Sequence, residues 1–351
     1  MRLIKLLGCA LLLFSCDKSN DTSEPINGSL SNGALVLCEG LFQHNNSQLS
    51  YISFGNQQVE NNFFLNRNGR QLGDTGNDLK RYGGKIYIIV NVSSTVEVVD
   101  AKNFESLKQI SMMNGTTAKQ PRSIAFYNGN AYVTCFDGYV DVIDTASLNI
   151  TERIEVGANP ERMAIANGKL FVTNSGGLNA PLMDSTVSVI DLSTHQELQK
   201  ITVGLNPGSI ERDESGDIYV VARGNYSTIP SVMSRIDSQN EIVSETFDFN
   251  ISGITKFNGD FLLSYYDFTT MESTIGLFNT TAESMTIDEF MSLEEVTTLY
   301  TLTYNPGTQK IYVSDAMGYT NTGYIREYDN QGNYTQSFHV GLNPSKILFY
   351  E

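Results

Sequence analysis

The side chains that most often do chemistry are scarce in this chain, and their spacing narrows what they could do. Histidine occurs three times, at His44, His195 and His339, too few for a histidine-rich copper or zinc centre. Repeat alignment puts His195 in an outer hairpin and His339 in an outer strand. A Ser–His–Asp arrangement would have to be built on His44, and no nucleophile-elbow pattern surrounds any serine. Walker, dinucleotide-binding and EF-hand spacings do not occur in the sequence either. Oxygen donors are more plentiful. Glu39, Asn91, Asp137, Asn174 and Asp315 end strand-like runs and could hold calcium for the hydrolysis of a lactone or similar ester. The same residue types fill ordinary turns. The expectation is a protein without catalytic residues, resident cofactor or metal.

Aromatic, amide and cationic side chains carry the alternative, which is binding. Phe42, Phe136, Tyr226, Tyr265, Tyr266, Phe268 and Tyr319 fall in segments that read as loops, close to His44-Asn45-Asn46 and Asn321-Thr322. Rings beside amides suit a large organic ligand with polar edges. Arg70, Arg122, Arg162 and Arg223 are scarce positive charges in an acidic chain and could meet an anionic group. The candidate ligand-binding set is Glu39, Phe42, Asn91, Arg122, Phe136, Arg162, Asn174, Arg223, Tyr226, Tyr265, Tyr266 and Tyr319. Tryptophan, the common platform of saccharide sites, does not occur.

A repeat must position these residues. Val156-Gly157-Ala158-Asn159-Pro160 returns as Val203-Gly204-Leu205-Asn206-Pro207 and as Val340-Gly341-Leu342-Asn343-Pro344. Ahead of the first two copies run short alternating strands that end in Asp, Val140-Asp141-Val142-Ile143-Asp144 and Val187-Ser188-Val189-Ile190-Asp191. A repeat of roughly 40–50 residues made of strands and turns marks a β-propeller. Second strands start near Leu35, Ile86, Ala131, Leu170, Ile218, Phe261 and Ile311, which predicts an all-β, seven-bladed ring over residues 33–351. The last copy, Asn343 to Tyr350, has no following blade to open. It should pair into the first blade at Ala34 and close the ring, so truncation before Ile347 should open it. Proline suits the first residue of each inner strand, and Gly157, Gly204 and Gly341 are expected to supply permissive backbone in the turns.

The upper-face loops between second and third strands are expected at Glu39–Gln48, Asn174–Ser185, Arg223–Ser231, Tyr265–Thr274 and Asp315–Gly323. Long loops on a rigid frame are where binding concentrates. Cys38 and Cys135 align at one strand position of blades one and three, so no disulfide is expected between them.

The formal net charge of −16 disfavours nucleic acid and the anionic bilayer surface. At the N-terminus, Arg2 and Lys5 precede an apolar stretch from Leu6 to Phe14, which reads as a secretory signal over residues 1–15. Leu13-Phe14-Ser15-Cys16 resembles a bacterial lipobox and implies lipidation of Cys16, the only membrane attachment expected. Residues 16–32 are polar enough to serve as a flexible tether. Asp17-Lys18-Ser19-Asn20-Asp21 resembles the export segment of Bacteroidetes surface lipoproteins, which implies an outer-membrane position facing the exterior. Asp144-Thr145-Ala146 and Asp184-Ser185-Thr186 resemble the O-glycosylation motif of the same phylum.

Two family resemblances follow. From Gly83 onward the repeats resemble the bacterial propellers named for a Tyr-Val-Thr-Asn strand. The stretch Glu39-Gly40-Leu41-Phe42-Gln43-His44-Asn45-Asn46-Ser47-Gln48-Leu49-Ser50-Tyr51, followed by Asn68-Gly69-Arg70-Gln71-Leu72-Gly73-Asp74, looks like the opening blade of Bacteroidetes surface lipoproteins that capture vitamin B12. Where those relatives often carry Asn-Glu-Gly, this chain has Cys38-Glu39-Gly40. The resemblance implies a cobalamin or related corrinoid as transported ligand and a TonB-dependent outer-membrane transporter as partner. The rival readings are an adhesion or scaffolding propeller and, further off, a metal-dependent lactonase-type hydrolase.

Overall fold

In the computed structural model, which describes residues 30–350, seven four-stranded antiparallel sheets form a seven-bladed β-propeller. The signal segment, Cys16 and the tether up to residue 29 lie outside the described residues. Among the described residues no helix is long and apolar enough to cross a membrane.

Strands within each blade are counted outward from the axis. Blades two to seven begin with the inner strands Gly76–Tyr82, Pro121–Tyr127, Pro160–Ala166, Pro207–Arg212, Ile251–Phe257 and Leu299–Asn305. Blade one takes its inner strand from the far end of the chain: Pro344–Tyr350 pairs antiparallel with Gly33–Cys38, Val36 opposite Ile347 and Gly33 opposite Tyr350. The predicted closure is observed. The seam is tightened by Glu39 and Gly40, whose backbone N–H groups donate to Asn343 and Leu342 at 3.0 and 3.1 Å.

The alternating strands bury both faces because each blade packs against two others. Seven apolar clusters occupy the seven seams. One joins Tyr87 and Ile89 of blade two to Ile124 and Val133 of blade three, and another joins Val36 and Ile52 of blade one to Tyr312 and Phe338 of blade seven. Burying each large side chain contributes roughly 1.5–3 kcal/mol before entropy is counted. Cys38 and Cys135 sit buried and unbridged in two different seams.

A β-bulge recurs in the pairing of inner and second strand in all seven blades, at Asn77, Arg122, Glu161 to Arg162, Gly208, Ser252, Tyr300 and Ser345. A bulge bends its strand and re-aims the extra residue. Just before five of these inner strands the chain turns through a left-handed residue: Thr75, Gln120, Asn159, Asn206 and Asn343 have φ between 45 and 61°. The left-handed position thus belongs to the Asn of Asn-Pro, where a short amide side chain tolerates it. The glycine expectation holds only for Gly204, at φ 114°. Gly157 and Gly341 are needed for space, since a Cβ there would run into the side chains of Asn174 and Gln48.

The Asp that ends most third strands has its own role. Asp100, Asp191 and Asp237 each accept backbone N–H groups two and three residues ahead and fold the outer hairpin back. A short helix, Phe63–Asn68, between blades one and two is the one α-helical element of the described residues.

Candidate functional site

The recurring bulges turn their extra residues toward the upper mouth of a central channel, and these side chains join hands across blades. Arg122 donates to Asn77 at 2.7 Å on one side and to Glu161 at 3.1 Å on the other, linking blades two, three and four. Its guanidinium stacks 4.6 Å from the Phe136 ring centroid. Across the mouth, Tyr300 donates to the Glu39 carboxylate at 2.7 Å. With Arg162, Asp78 and Lys346 these groups enclose a cavity of about 210 Å³.

Below it the channel widens to about 900 Å³ and is walled by inner strands of six blades. Asp78, Lys80, Arg162, Glu211, Lys256 and Lys346 all face this space. Burial alone would raise Asp78, yet Lys80, Lys346 and the N–H of Ile124 hold its carboxyl down at about 2. Burial pushes Glu39 and Glu211 the other way, above the usual carboxylate range, against the pull of Tyr300 and the arginines on Glu39 and of Lys256 on Glu211. Burial, helped by the charge of Arg162, lowers the Lys346 ammonium to about 8.

The channel opens sideways between the upper segments of blades five and six into a pocket of about 350 Å³ lined by Arg223, Tyr226, Ile229, Pro230, Tyr266 and Phe268. Tyr319 flanks the main opening opposite, its ring 6.0 Å from that of Tyr300. Around this mouth the upper loops of five blades expose apolar side chains: Phe42, Leu178 and Leu182, Tyr226 and Ile229, Phe268 and Met271, and Tyr319.

Of the residues expected from sequence, Glu39, Arg122 and Arg162 meet at the channel entrance, with Phe136 under Arg122. Arg223, Tyr226 and Tyr266 meet at the side pocket, and Tyr319 joins the main opening. Phe42 lies on the exposed rim.

Three do not join them. Asn91 is buried, its amide donating to the carbonyl of Pro121 at 3.1 Å. Asn174 is fully buried, binding the Thr186 and Ser188 hydroxyls and the N–H of Gly157. Tyr265 points opposite to Tyr266, as neighbours on a strand must, and packs in the seam of blades five and six with its hydroxyl on Met285.

The other expectations for this face divide similarly. Tyr265 to Thr274 is no long loop, because pairing continues through Asp267 and Glu272 to a tight turn. Arg70 lies away from the mouth, paired with Glu97 at 2.7 Å. The five oxygen donors considered for calcium are drawn apart: Glu39 to Tyr300, Asp137 to Arg153, Asp315 to Arg326 and three backbone N–H groups, and both amides into the scaffold. Among the described residues no His, Cys, Asp and Glu side chains group as a metal site.

The residues not anticipated include Asp78, Lys80, Glu211, Lys256, Tyr300 and Lys346. For Asp78 and Lys346 a signal was present. Lys346, Asp78, Ser123, Arg162, Ser209, Gly253 and Thr301 share one inner-strand position, and none is apolar. A strand buried on both faces does not need polar residues there; a strand facing a water-filled channel does.

Fold and site together define a seven-bladed propeller with a polar, charged axial channel beneath an aromatic mouth. The chain belongs to the family described as Domain of unknown function (DUF5074), whose pattern matches residues 32–341. No curated protein matches it in sequence. Among solved structures it is similar to a quinoprotein alcohol dehydrogenase-like protein of Bacteroides thetaiotaomicron, with 16% identity, a TM-score of 0.63, and coverage of 92% of this chain and 79% of that one. It is also similar to the hydrazine synthase of Kuenenia stuttgartiensis, with 16% identity, a TM-score of 0.58, and coverage of 70% and 74%. A chain of the mitotic checkpoint complex gives 12% identity, a TM-score of 0.57, and coverage of 94% and 89%. Likeness at this level is a likeness of fold.

Proposed function

We propose that this is a non-enzymatic capture protein. Its upper face binds a cobalamin or related corrinoid and passes it to a TonB-dependent outer-membrane transporter, with lipidated Cys16 holding it to the outside of the cell. The observation that supports this reading is the mouth formed by Arg223, Tyr226, Tyr266, Phe268 and Tyr319 over a channel of about 900 Å³. A corrinoid is bulky, carries amide arms and one phosphate, and matches rings, polar edges and a cation. A rigid ring would present the site pre-formed, so little ordering entropy would oppose binding. The specific ligand comes from the resemblance of the Glu39–Tyr51 and Asn68–Asp74 segments. These touch in space: the Asp74 carboxylate accepts the N–H groups of Gln43 and Asn45.

A second reading rests on the exposed apolar rim of five blades, which favours a protein seated on the same face. The two are compatible if the seated protein is the transporter.

The deciding experiment is gel filtration of the soluble domain with excess cyanocobalamin. Red corrinoid co-eluting at about one per chain supports capture. Colour only with the free ligand sinks the corrinoid reading and leaves the rim as a protein-docking surface.

A further inference from the structure

We propose a second binding site inside the axial channel, below the mouth, for a small polyanion of at least two negative charges such as a phosphate ester or a di- or tricarboxylate, held by Arg162, Lys346, Lys80 and Lys256. The site shares one cavity with the mouth residues Arg223, Tyr266, Phe268 and Tyr319, and it does not rest on the corrinoid reading.

The case is one of missing partners. Acidic residues outnumber Lys and Arg by 39 to 23, so a cation in this protein should find a carboxylate easily. Elsewhere they do: Lys119 pairs with Asp141, Arg326 with Asp315 and Lys310 with Glu327, at 2.6–2.8 Å. In the channel, no ion pair or side-chain hydrogen bond is made by Arg162, Lys256 or Lys346 among the described residues. Lys80 is held in place by the Ile124 carbonyl at 2.6 Å and by Asp78 at 3.7 Å, so the three unpaired cations are Arg162, Lys256 and Lys346. Five cations, Lys80, Arg162, Arg223, Lys256 and Lys346, face one space with two carboxylates, Asp78 and Glu211, while Glu39 and Glu161 line the entrance.

Holding unpaired cations together costs stability unless something negative sits among them. Composition does not force the arrangement, since a carboxylate on any neighbouring inner strand could have neutralised it. Serine and threonine complete the lining at Ser123, Ser209 and Thr301, and their hydroxyls can donate to anionic oxygens. About 900 Å³ leaves room for an organic anion as well as water.

The test uses the soluble protein with sodium pyrophosphate and sodium citrate, each against sodium chloride of matched ionic strength, read by thermal shift and calorimetry. One or both anions should raise Tm and bind with Kd below about 1 mM. Preference for pyrophosphate assigns the phosphate class, and preference for citrate the carboxylate class. In Arg162→Gln/Lys346→Met the affinity should fall at least about tenfold. Lys256→Gln serves if the double variant does not fold. Binding should also weaken above about pH 8, as Lys346 loses its proton among Arg162, Lys80, Asp78, Glu211, Glu39 and Tyr300. No shift beyond the chloride control, or an equal shift in the variants, overturns the proposal. Because the readout uses pyrophosphate and citrate alone, its failure is distinct from a failure of cyanocobalamin to bind at the mouth.

Discussion

Tyr300 of the seventh blade donates its phenolic proton to Glu39 of the first, at 2.7 Å, across the seam where the two ends of the ring meet. Burial raises both groups, and the Glu39 charge raises Tyr300 further. Tyr300→Phe leaves a carboxylate oxygen without its donor and should destabilise by about 1–2 kcal/mol. Glu39→Gln removes a charge that burial disfavours and keeps an acceptor, so it should be neutral or stabilising at pH 7. In the double variant the Tyr300 effect should largely vanish. Urea midpoints of the four proteins check this.

Asp141 is fully buried between Lys119 and Arg153, each at 2.6 Å. The two ways of breaking this cluster are unequal. Lys119→Met leaves Asp141 with Arg153, whereas Asp141→Asn strands a buried ammonium with no anion. The second should cost about 3–5 kcal/mol and the first clearly less. Chemical denaturation that ranks them in reverse would show that Arg153 cannot hold Asp141 alone.

Neighbouring tyrosines should separate fold from mouth. Tyr265→Ala removes a ring from the seam of blades five and six and should destabilise by about 3 kcal/mol or more. Tyr266→Ala lies over the opening and should change stability by less than about 1 kcal/mol while weakening corrinoid binding at least about tenfold. Melting curves and calorimetry on both variants give the comparison.

Acid should unfold the protein through its hairpin aspartates. The N–H of Lys102 lowers Asp100, the Ser193 hydroxyl and N–H lower Asp191, and hydrogen bonds from Ser147, Asn240 and Asn333 lower Asp144, Asp237 and Asp329. Each folded pKa lies below the unfolded value of about 3.9, so the stabilisation is complete above about pH 4 and lost as pH falls through the folded values. Glu39 and Glu211, raised by burial, act with the opposite sign and blunt the loss. Asp100→Asn/Asp191→Asn should flatten the acid limb of Tm against pH.

The ring was readable because its signals are repeated. Val-Gly-x-Asn-Pro marks three of the seven returns to the axis, and seven second strands start where the pattern puts them. Closure followed from one copy too many. The site was read less well for a local reason. Asn91 and Asn174 look like mouth ligands by position, but an amide beside unpaired backbone groups binds those first. Tyr265 and Tyr266 are adjacent in sequence, and only strand parity decides which one faces the opening. Arg162 was expected there, but the rest of the channel lining went unnoticed because Lys346 and Asp78 read as ordinary residues opening a strand. The bulge that frees them toward the axis is a register shift, which no single-chain pattern displays.

The strand that seals blade one has a consequence for synthesis. Ser345 hydrogen-bonds to Leu37 over a sequence separation of 308 residues. A nascent chain must therefore carry Gly33–Cys38 with an open edge until nearly everything else has emerged. Loop-closure entropy grows only with the logarithm of that span, so the long wait takes little from the finished ring. What it governs is time. For most of the chain's synthesis, Val36 and its neighbours offer a bare apolar edge to any other extended chain, so misassembly is a hazard of the interval before closure.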